Sequence, residues 1–391
     1  MQALILAAGR GSRLDPLTRF RPKHLLPIAG KPIIGWQIEI LHKCGIDEII
    51  VVKHHLGDIM EHYVKELCRR LGMKVTFVEQ GNPQGTAHAV EVAEDYVKPP
   101  FLLLYGDVTI REDVIKKLLS MGGPYSCIMV GVKVRDPWNY GVLVVREGVL
   151  VDIVEKPPKG KEPSDLINAG IYLFNDDLIF DAIHETGYSP RGERELTDSI
   201  RLLNEISSVA VVEADYGWWF DVGRPWDLLD ANLKVMADRV SQACISENVR
   251  LGNQVIIIPP VFIGNDCELG PGSVIGPFTV IMNGCTIGRN AKITNTLVLE
   301  KAMIGNEVHI VSSIIGSNVT IGDHVTIYDR WDNGGEIWAY LRGSLVNTHH
   351  RRFGAVIGDY SAIAEDTIIA PGITIMPFKK VEGEVVIDDV L

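Results

Sequence analysis

The chain has 391 residues, 46% of them hydrophobic and 23% charged, with a formal net charge of −12. That length exceeds one ordinary core, so two domains are expected, and the acidic balance argues against general binding to a nucleic-acid backbone. No apolar run approaches the length needed to span a bilayer, and six scattered cysteines with no CxxC pair fit reduced thiols of a cytoplasmic protein without a membrane partner.

The opening MQALILAAGR reads as a buried strand rather than a signal peptide. ALILAAG, EIIVVKH, KVTFVEQ, FLLLYGD and YSCIMVGVKV are the strand candidates, separated by amphipathic stretches such as PIIGWQIEILHKCG and LGDIMEHYVKELCRRLG. Apolar strands alternating with helices predict an α/β, Rossmann-like fold with a mainly parallel mixed sheet covered on both faces. Ligands of such sheets bind at the carboxyl ends of the strands. The first strand runs into LAAGRGSRLDPLTRFRPKHLLPIAGKP, where Gly9 and Gly11 stand among Arg10, Arg13, Arg19, Arg21 and Lys23. In a net-acidic chain, that concentration of cations on a glycine turn points to a small anionic ligand, whose phosphates backbone amides could cradle. Alone, the same residues also fit a tight turn with a solvated basic face.

Asp107 closes the most apolar strand in FLLLYGD, and Asp221 follows an aromatic patch in GWWFDVG. Asp107 could instead be a turn or helix-capping aspartate, whereas the context of Asp221 is too apolar for an idle surface carboxylate. Together with Arg13, Lys23 and the glycine turn, they suit Mg²⁺ and a polyphosphate, because a hard cation prefers oxygen ligands.

Pro225 to Val240 reads as a linker helix, after which the rhythm changes. Ile245, Leu251, Ile257, Ile263, Leu269, Ile275, Ile281, Ile287 and Ile293 recur at every sixth position. The period slips near Leu299 and returns at Ile304 and Ile310, at Ile315, Ile321 and Ile327, and at Ile357, Ile363, Ile369 and Ile375. A sustained six-residue repeat predicts a left-handed parallel β-helix with the aliphatic residue pointing inward. The expected organisation is a first domain over 1–230, a linker helix over 231–243, and a β-helix over 244–391 with a loop insertion at 328–354.

The stretch LxxGxGxRLxPLTxxxPKxLLPIxGKP resembles the signature of the sugar-1-phosphate nucleotidylyltransferases, and the resemblance spans the first domain. It implies that an NTP binds over Ala8, Gly9 and Gly11, with Arg13 at the β- and γ-phosphates and Lys23 at the α-phosphate. QGNPQGTAHA resembles the family's base-recognition loop, implicating Gln80, Gly85 and Thr86. Gly141, Glu155, Lys156, Asn168 and Thr197 fall in the family's order as sugar-site elements, and Asp107 and Asp221 match its metal positions, implying Mg²⁺. A glutamine amide and a close backbone suit a uracil or thymine edge, so UTP or dTTP is favoured. Glucose or N-acetylglucosamine 1-phosphate is the expected partner substrate, and a mannose-1-phosphate guanylyltransferase is an alternative.

The β-helix resembles hexapeptide-repeat acyltransferases, and the two-domain order is similar to that of bifunctional uridylyltransferase/acetyltransferases. There His309 matches a catalytic histidine. Ser312 stands where tyrosine is expected, and no GAGT turn follows. Acetyl-CoA is therefore a possible cosubstrate, and a histidine on a solvated solenoid face is the alternative. Flat coil faces suggest homo-oligomers, a trimer or a dimer of trimers. Non-catalytic regulatory subunits of a translation initiation exchange factor share the layout, but they are expected to lack parts of the loop and metal pair retained here.

Overall fold

The computed structural model describes residues 1–215, 218–240 and 242–385. The chain forms two compact units, Met1–Arg10 with Ile33–Asp221, and Gly11–Pro32 with Val222–Leu391. The cationic loop thus belongs to the unit that carries the β-helix. No helix among the described residues is long and apolar enough to cross a membrane.

In the first unit, nine strands among the described residues share one sheet. They are β1 (Gln2–Ala7), β2 (Glu48–Lys53), β3 (Lys74–Glu79), β4 (Phe101–Tyr105), β5 (Cys127–Lys133), β6 (Gly141–Arg146), β7 (Val149–Glu155), β8 (Leu166–Phe174) and β9 (Val209–Ala214). Their order is β3-β2-β1-β4-β8-β5-β9-β7-β6. The four strands from β3 to β4 are parallel, as the buried aliphatic runs predict. Strand β8 then runs antiparallel to both β4 and β5, while β5 and β9 pair in parallel. The sheet is therefore mixed, and its far edge is the antiparallel hairpin β6–β7. That hairpin turns at Glu147 and Gly148, both at positive φ (52° and 78°), which suits a tight turn between twisted strands.

Every residue of β8 is buried, and it packs Tyr172 and Phe174 into a core with Leu4, Ile50, Phe101 and Leu103. Its register shifts between Asn168 and Tyr172. Gly170 occupies the bulge at φ 71°, where a Cβ would stand 2.7–2.8 Å from the Tyr105 ring. Helices α1 (Ile33–Lys43), α2 (Gly57–Leu71), α3 (Thr86–Glu91), α4 (Glu112–Ser120), α5 (Leu178–His184) and α6 (Leu196–Ile206) complete this unit.

The second unit begins its main run with α7 (Pro225–Arg239), the helix expected at Pro225 to Val240. Beyond it, three seven-stranded parallel sheets take every third strand in turn, the arrangement of a left-handed parallel β-helix. Residues 18 apart face each other on successive coils, as in Ile263↔Ile281 and Leu269↔Ile287. The repeated aliphatic residues from Ile263 onward are buried. Ile245 and Leu251 are 42% and 48% exposed because no coil precedes theirs. The slip in period resolves into two five-residue steps, Ile293 to Val298 and Ile310 to Ile315, which restore the inward direction at each following face. The interruption at 328–354 contains an antiparallel hairpin, Trp338–Leu341 with Ser344–Asn347.

Candidate active site

Asp107 and Asp221 come together through the backbone of the first unit. Asp107 leaves β4 in a turn whose Gly106 N–H donates to the Leu6 carbonyl at 2.9 Å. The next residue, Val108, forms an antiparallel bridge with Asp221. Thr109 secures the same crossing: its amide donates to Phe220 O (3.0 Å), its hydroxyl donates to Trp218 O (2.7 Å), and it accepts from Phe220 N–H (2.9 Å). The Gln37 amide donates to the carbonyls of Tyr105 and Val108, both at 2.8 Å, from below. Both aspartates are partly exposed, Asp107 two residues beyond β4 and Asp221 in the isolated bridge to Val108. No group of three or more His, Cys, Asp or Glu among the described residues is arranged to hold a metal ion. Two carboxylates are nevertheless a sufficient protein donor set where phosphate oxygens complete the shell.

The loop before α3 is fixed by its own backbone. Gln80 is buried, and its amide nitrogen donates to Gly85 O at 3.0 Å and lies 3.4 Å from His88 Nδ1. The donor half of that side chain is spent inside the loop, which leaves Oε1 as an acceptor for a ligand. Gly85 adopts φ 115°, ψ −176°, a conformation open almost only to glycine, and a Cβ there would lie 2.3 Å from Arg194 O. Thr86 Oγ1 accepts the Leu196 N–H at 2.8 Å and so ties α3 to α6.

A cluster of charged side chains forms around the hairpin β6–β7. Gly141 pairs with Glu155 across it, and a Cβ at Gly141 would meet Thr197 Cγ2 at 2.9 Å and Glu155 Oε2 at 3.1 Å. The Thr197 hydroxyl donates to Glu155 Oε2 (3.1 Å), and Lys156 and Arg191 pair with Oε1 at 3.4 and 3.3 Å. Arg191 also pairs with Glu195 at 3.1 Å. Burial, reinforced by the neighbouring Glu155 carboxylate, pushes Glu195 up to about 7. Asn168 is buried at the β8 bulge, where its amide donates to the Tyr172 hydroxyl and its Oδ1 accepts from Gly170 N–H. Arg191 and Arg194 were not singled out from sequence. They sit in the polar, glycine-containing stretch YSPRGERELTD, and only the fold brings them beside Glu155 and Gly85.

In the second unit, Gly11 takes φ 65° and opens a turn in which Leu14 N–H donates to Gly11 O. A Cβ on Gly11 would lie 3.0 Å from Lys23 Cβ, so Lys23 crosses directly behind the glycine. The Arg13 guanidinium covers Gly223, about 3.0 Å from where a Cβ would stand. Two of the loop's cations are engaged elsewhere: Arg19 pairs with Asp15 and Arg21 with Asp359. Farther along the β-helix, His309 is exposed on a coil face, and desolvation, then Lys292, lower its pKa against the opposing effect of Asp329. Ser312 is buried and donates to Asp329 Oδ2 at 2.9 Å.

Residues 2–238 match the family model described as nucleotidyl transferase. The chain belongs to that family. This nucleotidyl transferase also matches, over residues 257–391, the model described as GMPPB C-terminal domain. It is 34% identical to the bifunctional protein GlmU of Methanocaldococcus jannaschii, covering 96% of this chain and 92% of that one. It is 33% identical to a bifunctional sugar-1-phosphate nucleotidylyltransferase/acetyltransferase of Sulfurisphaera tokodaii, over 100% and 98% of the two chains. Among solved structures, it resembles a putative glucose-1-phosphate thymidylyltransferase from Bacillus anthracis in complex with a sucrose. That match has 28% identity and a TM-score of 0.54, and it covers 62% of this nucleotidyl transferase and 97% of the other chain. A UDP-glucose pyrophosphorylase complexed with UDP-glucose, 23% identical with a TM-score of 0.54, shares the fold over 61% of the chain.

Proposed function

We propose that the enzyme joins UTP or dTTP to glucose or N-acetylglucosamine 1-phosphate, releasing pyrophosphate. The observation that carries base recognition is Gln80, whose amide nitrogen is committed to Gly85 O. The remaining Oε1 accepts a hydrogen bond, which matches a ring N–H, the N3–H of uracil or thymine or the N1–H of guanine. The choice of a pyrimidine rests on the resemblance of QGNPQGTAHA to the base loop of uridylyltransferases. Gly85 and Thr86 shape the loop against which the base lies, and Ala8, Gly9 and Gly11 leave the chain open to a triphosphate.

Lys23 neutralises the α-phosphate as charge develops there, and Arg13 neutralises the phosphates that leave. Asp107 and Asp221 would hold Mg²⁺, which supplies charge neutralisation between two phosphoryl groups. A sugar-phosphate oxygen attacks the α-phosphorus in line, the bond to the β-phosphate oxygen breaks, and pyrophosphate departs. Glu155, held from two sides by Thr197 and by Lys156 and Arg191, accepts hydrogen bonds from sugar hydroxyls. Gly141 and Asn168 are assigned to the same sugar site on the family order of the motifs that carry them, with Gly141 letting Thr197 and Glu155 approach the hairpin closely. The protein forms no covalent bond, so orientation and charge carry the rate.

The deciding experiment is a matrix of UTP, dTTP, GTP, ATP and CTP against glucose, N-acetylglucosamine and mannose 1-phosphates, read by pyrophosphate release. A UTP or dTTP row at least about tenfold above GTP is expected, equivalent to one good hydrogen bond. A dominant GTP row would replace this reading with a guanylyltransferase. A second activity, acetylation of an amino sugar 1-phosphate from acetyl-CoA, draws support from His309, exposed on a coil face with a lowered pKa. A neutral imidazole can take a proton from the amine as it attacks the thioester carbonyl, the C–S bond breaks, and the proton passes to the departing CoA thiolate. Thiol release with glucosamine 1-phosphate, abolished in His309→Ala, is its test. The proposed setting is the cytoplasm, with a homo-oligomer formed through the β-helix.

A further inference from the structure

Arg21 stands between Arg13 and Lys23 in the cationic loop, yet its guanidinium faces the β-helix of its own unit. Nη1 donates to Asp359 Oδ1 at 3.1 Å and Nη2 to Asp359 Oδ2 at 2.8 Å, a two-pronged pair with side chains 14% and 1% exposed. The same guanidinium donates to the Leu17 carbonyl at 3.2 Å and to Ser317 Oγ at 2.8 Å. Asp359 is itself fixed, since its Oδ1 accepts the Ser317 N–H at 2.9 Å, and Ser317 Oγ donates to Glu300 at 2.8 Å. Beside this pair, Phe20 meets Tyr360 and Phe378 edge-on at 5.8 and 5.6 Å, and those two rings stack at 5.1 Å. Three consecutive coils, contributing Glu300, Ser317 and Asp359, therefore grip one point of the loop.

A carboxylate removed from water is costly unless paired, so Asp359 demands its arginine, and the guanidinium fork fixes direction as well as distance. The grip falls midway along the loop rather than at its ends, two residues before Lys23 and on the turn whose Leu17 N–H donates to Leu14 O. We propose that Arg21 and Asp359 are positioning residues for nucleotidyl transfer, clamping the Arg13–Lys23 loop to the β-helix so that both cations are held ready for the triphosphate. This rests on the reading of Arg13 and Lys23 given above. It assigns the solenoid a part in the first reaction, independent of any acetyl transfer. A displacement of about 1 Å in a positioned group can cost on the order of 100-fold in rate.

The test uses the full-length chain with Arg21→Lys and Asp359→Asn. The lysine keeps the charge and loses the fork, and the asparagine keeps the shape and loses the charge. Hydrogen exchange is followed for residues 11–26 and, as an internal reference, for the coil strands over 279–304. Pyrophosphate release is measured with the best substrate pair of the matrix. Exchange at Leu14, Leu17 and Leu25 is expected to rise at least about tenfold while the coil reference stays constant. In parallel, kcat is expected to fall at least about tenfold, with KM for the sugar phosphate within about twofold of wild type. Unchanged loop exchange in both variants overturns the clamp. Faster loop exchange with unchanged kcat overturns the positioning role. Should Asp359→Asn lose its cooperative melting transition, Arg21→Lys decides alone. A wild-type chain that releases no pyrophosphate refutes the assigned reaction, whereas the exchange measurement still judges the clamp.

Discussion

Replacing Gly85 by alanine should dismantle the loop before α3, the one proposed to meet the base, while sparing the charged cluster around Glu155. The residue sits at φ 115°, ψ −176°, where a side chain costs about 1–3 kcal/mol. The added Cβ would also stand 2.3 Å from Arg194 O and 2.7 Å from Arg194 N. Arg194 cannot retreat. Its carbonyl accepts from Ala87 N–H (3.0 Å), its amide donates to Gln84 O (2.6 Å), and its guanidinium holds Glu91, Ile183 O and Thr186 O. The loop must move instead, breaking the buried hydrogen bond from Gln80 to Gly85 O, a further cost of about 0.5–1.5 kcal/mol. With Gln80 displaced, one base contact is lost, and kcat/KM for the NTP should drop about 10- to 100-fold while KM for the sugar phosphate holds. Initial rates of pyrophosphate release against NTP concentration measure this. Gly81→Ala is the control: it has positive φ (68°) but nothing within 4 Å of its Cβ, so it isolates backbone strain from collision. A Gly85→Ala enzyme within twofold of wild type in kcat/KM would refute the reasoning.

Lys23→Ala should lose at least about 100-fold in kcat with an unchanged melting curve, the scale set by removing one preorganised charge from a transition state. Asp221→Asn should raise the Mg²⁺ concentration for half-maximal rate by about tenfold or more, since an amide is a weaker ligand for a hard cation; an unchanged Mg²⁺ titration excludes Asp221 from the metal site. Glu195 gives a pH signature. Its folded pKa lies near 7 against an ordinary 4.5, so the folded state keeps a proton that the unfolded chain releases. The stabilisation is complete below about pH 4.5 and is lost as pH rises through about 7. In urea titrations, wild-type stability relative to Glu195→Gln should therefore decline by up to about 3 kcal/mol between pH 4.5 and 8. A difference that stays flat across that window would mean the carboxyl is not so perturbed.

The β-helix was the most legible part of the chain because each coil repeats one physical demand, an aliphatic residue turned inward every sixth position. Ile263, Ile281 and Ile315 meet it with no exposed surface. The five-residue steps blurred the count without hiding it. The direction of β8 was not legible. LINAGIYLF is buried on both faces, so it carries no alternation, and a fully buried run reads alike whether it pairs in parallel or antiparallel. The hairpin β6–β7 did leave a signal, the Glu147-Gly148 pair between two aliphatic runs. The glycine turns and the aspartates at 107 and 221 stood out as candidates because of their local context, an apolar run ending in a turn. The partners that decide what those residues have left to offer did not. Arg21 and Asp359 lie 338 positions apart, and nothing in either neighbourhood announces the other. The crowd of cations on the loop therefore overstated the charge aimed at an anion, since Arg19 and Arg21 are spent on neighbours within their own unit.

The detour carrying the Trp338–Asn347 hairpin leaves the solenoid after Ile327 and rejoins it at Val356 in perfect phase, so that Ser317 N–H still meets Asp359 across 42 positions of chain. The detour is nonetheless tied into its unit: Ile337, Ala339 and Phe353 are buried, Trp226 of α7 meets Phe353 edge-on at 5.8 Å, and His350 pairs with Asp230 of the same helix at 2.8 Å. Lengthening or trimming it would therefore loosen the hold on α7 even though the coils above and below keep their register.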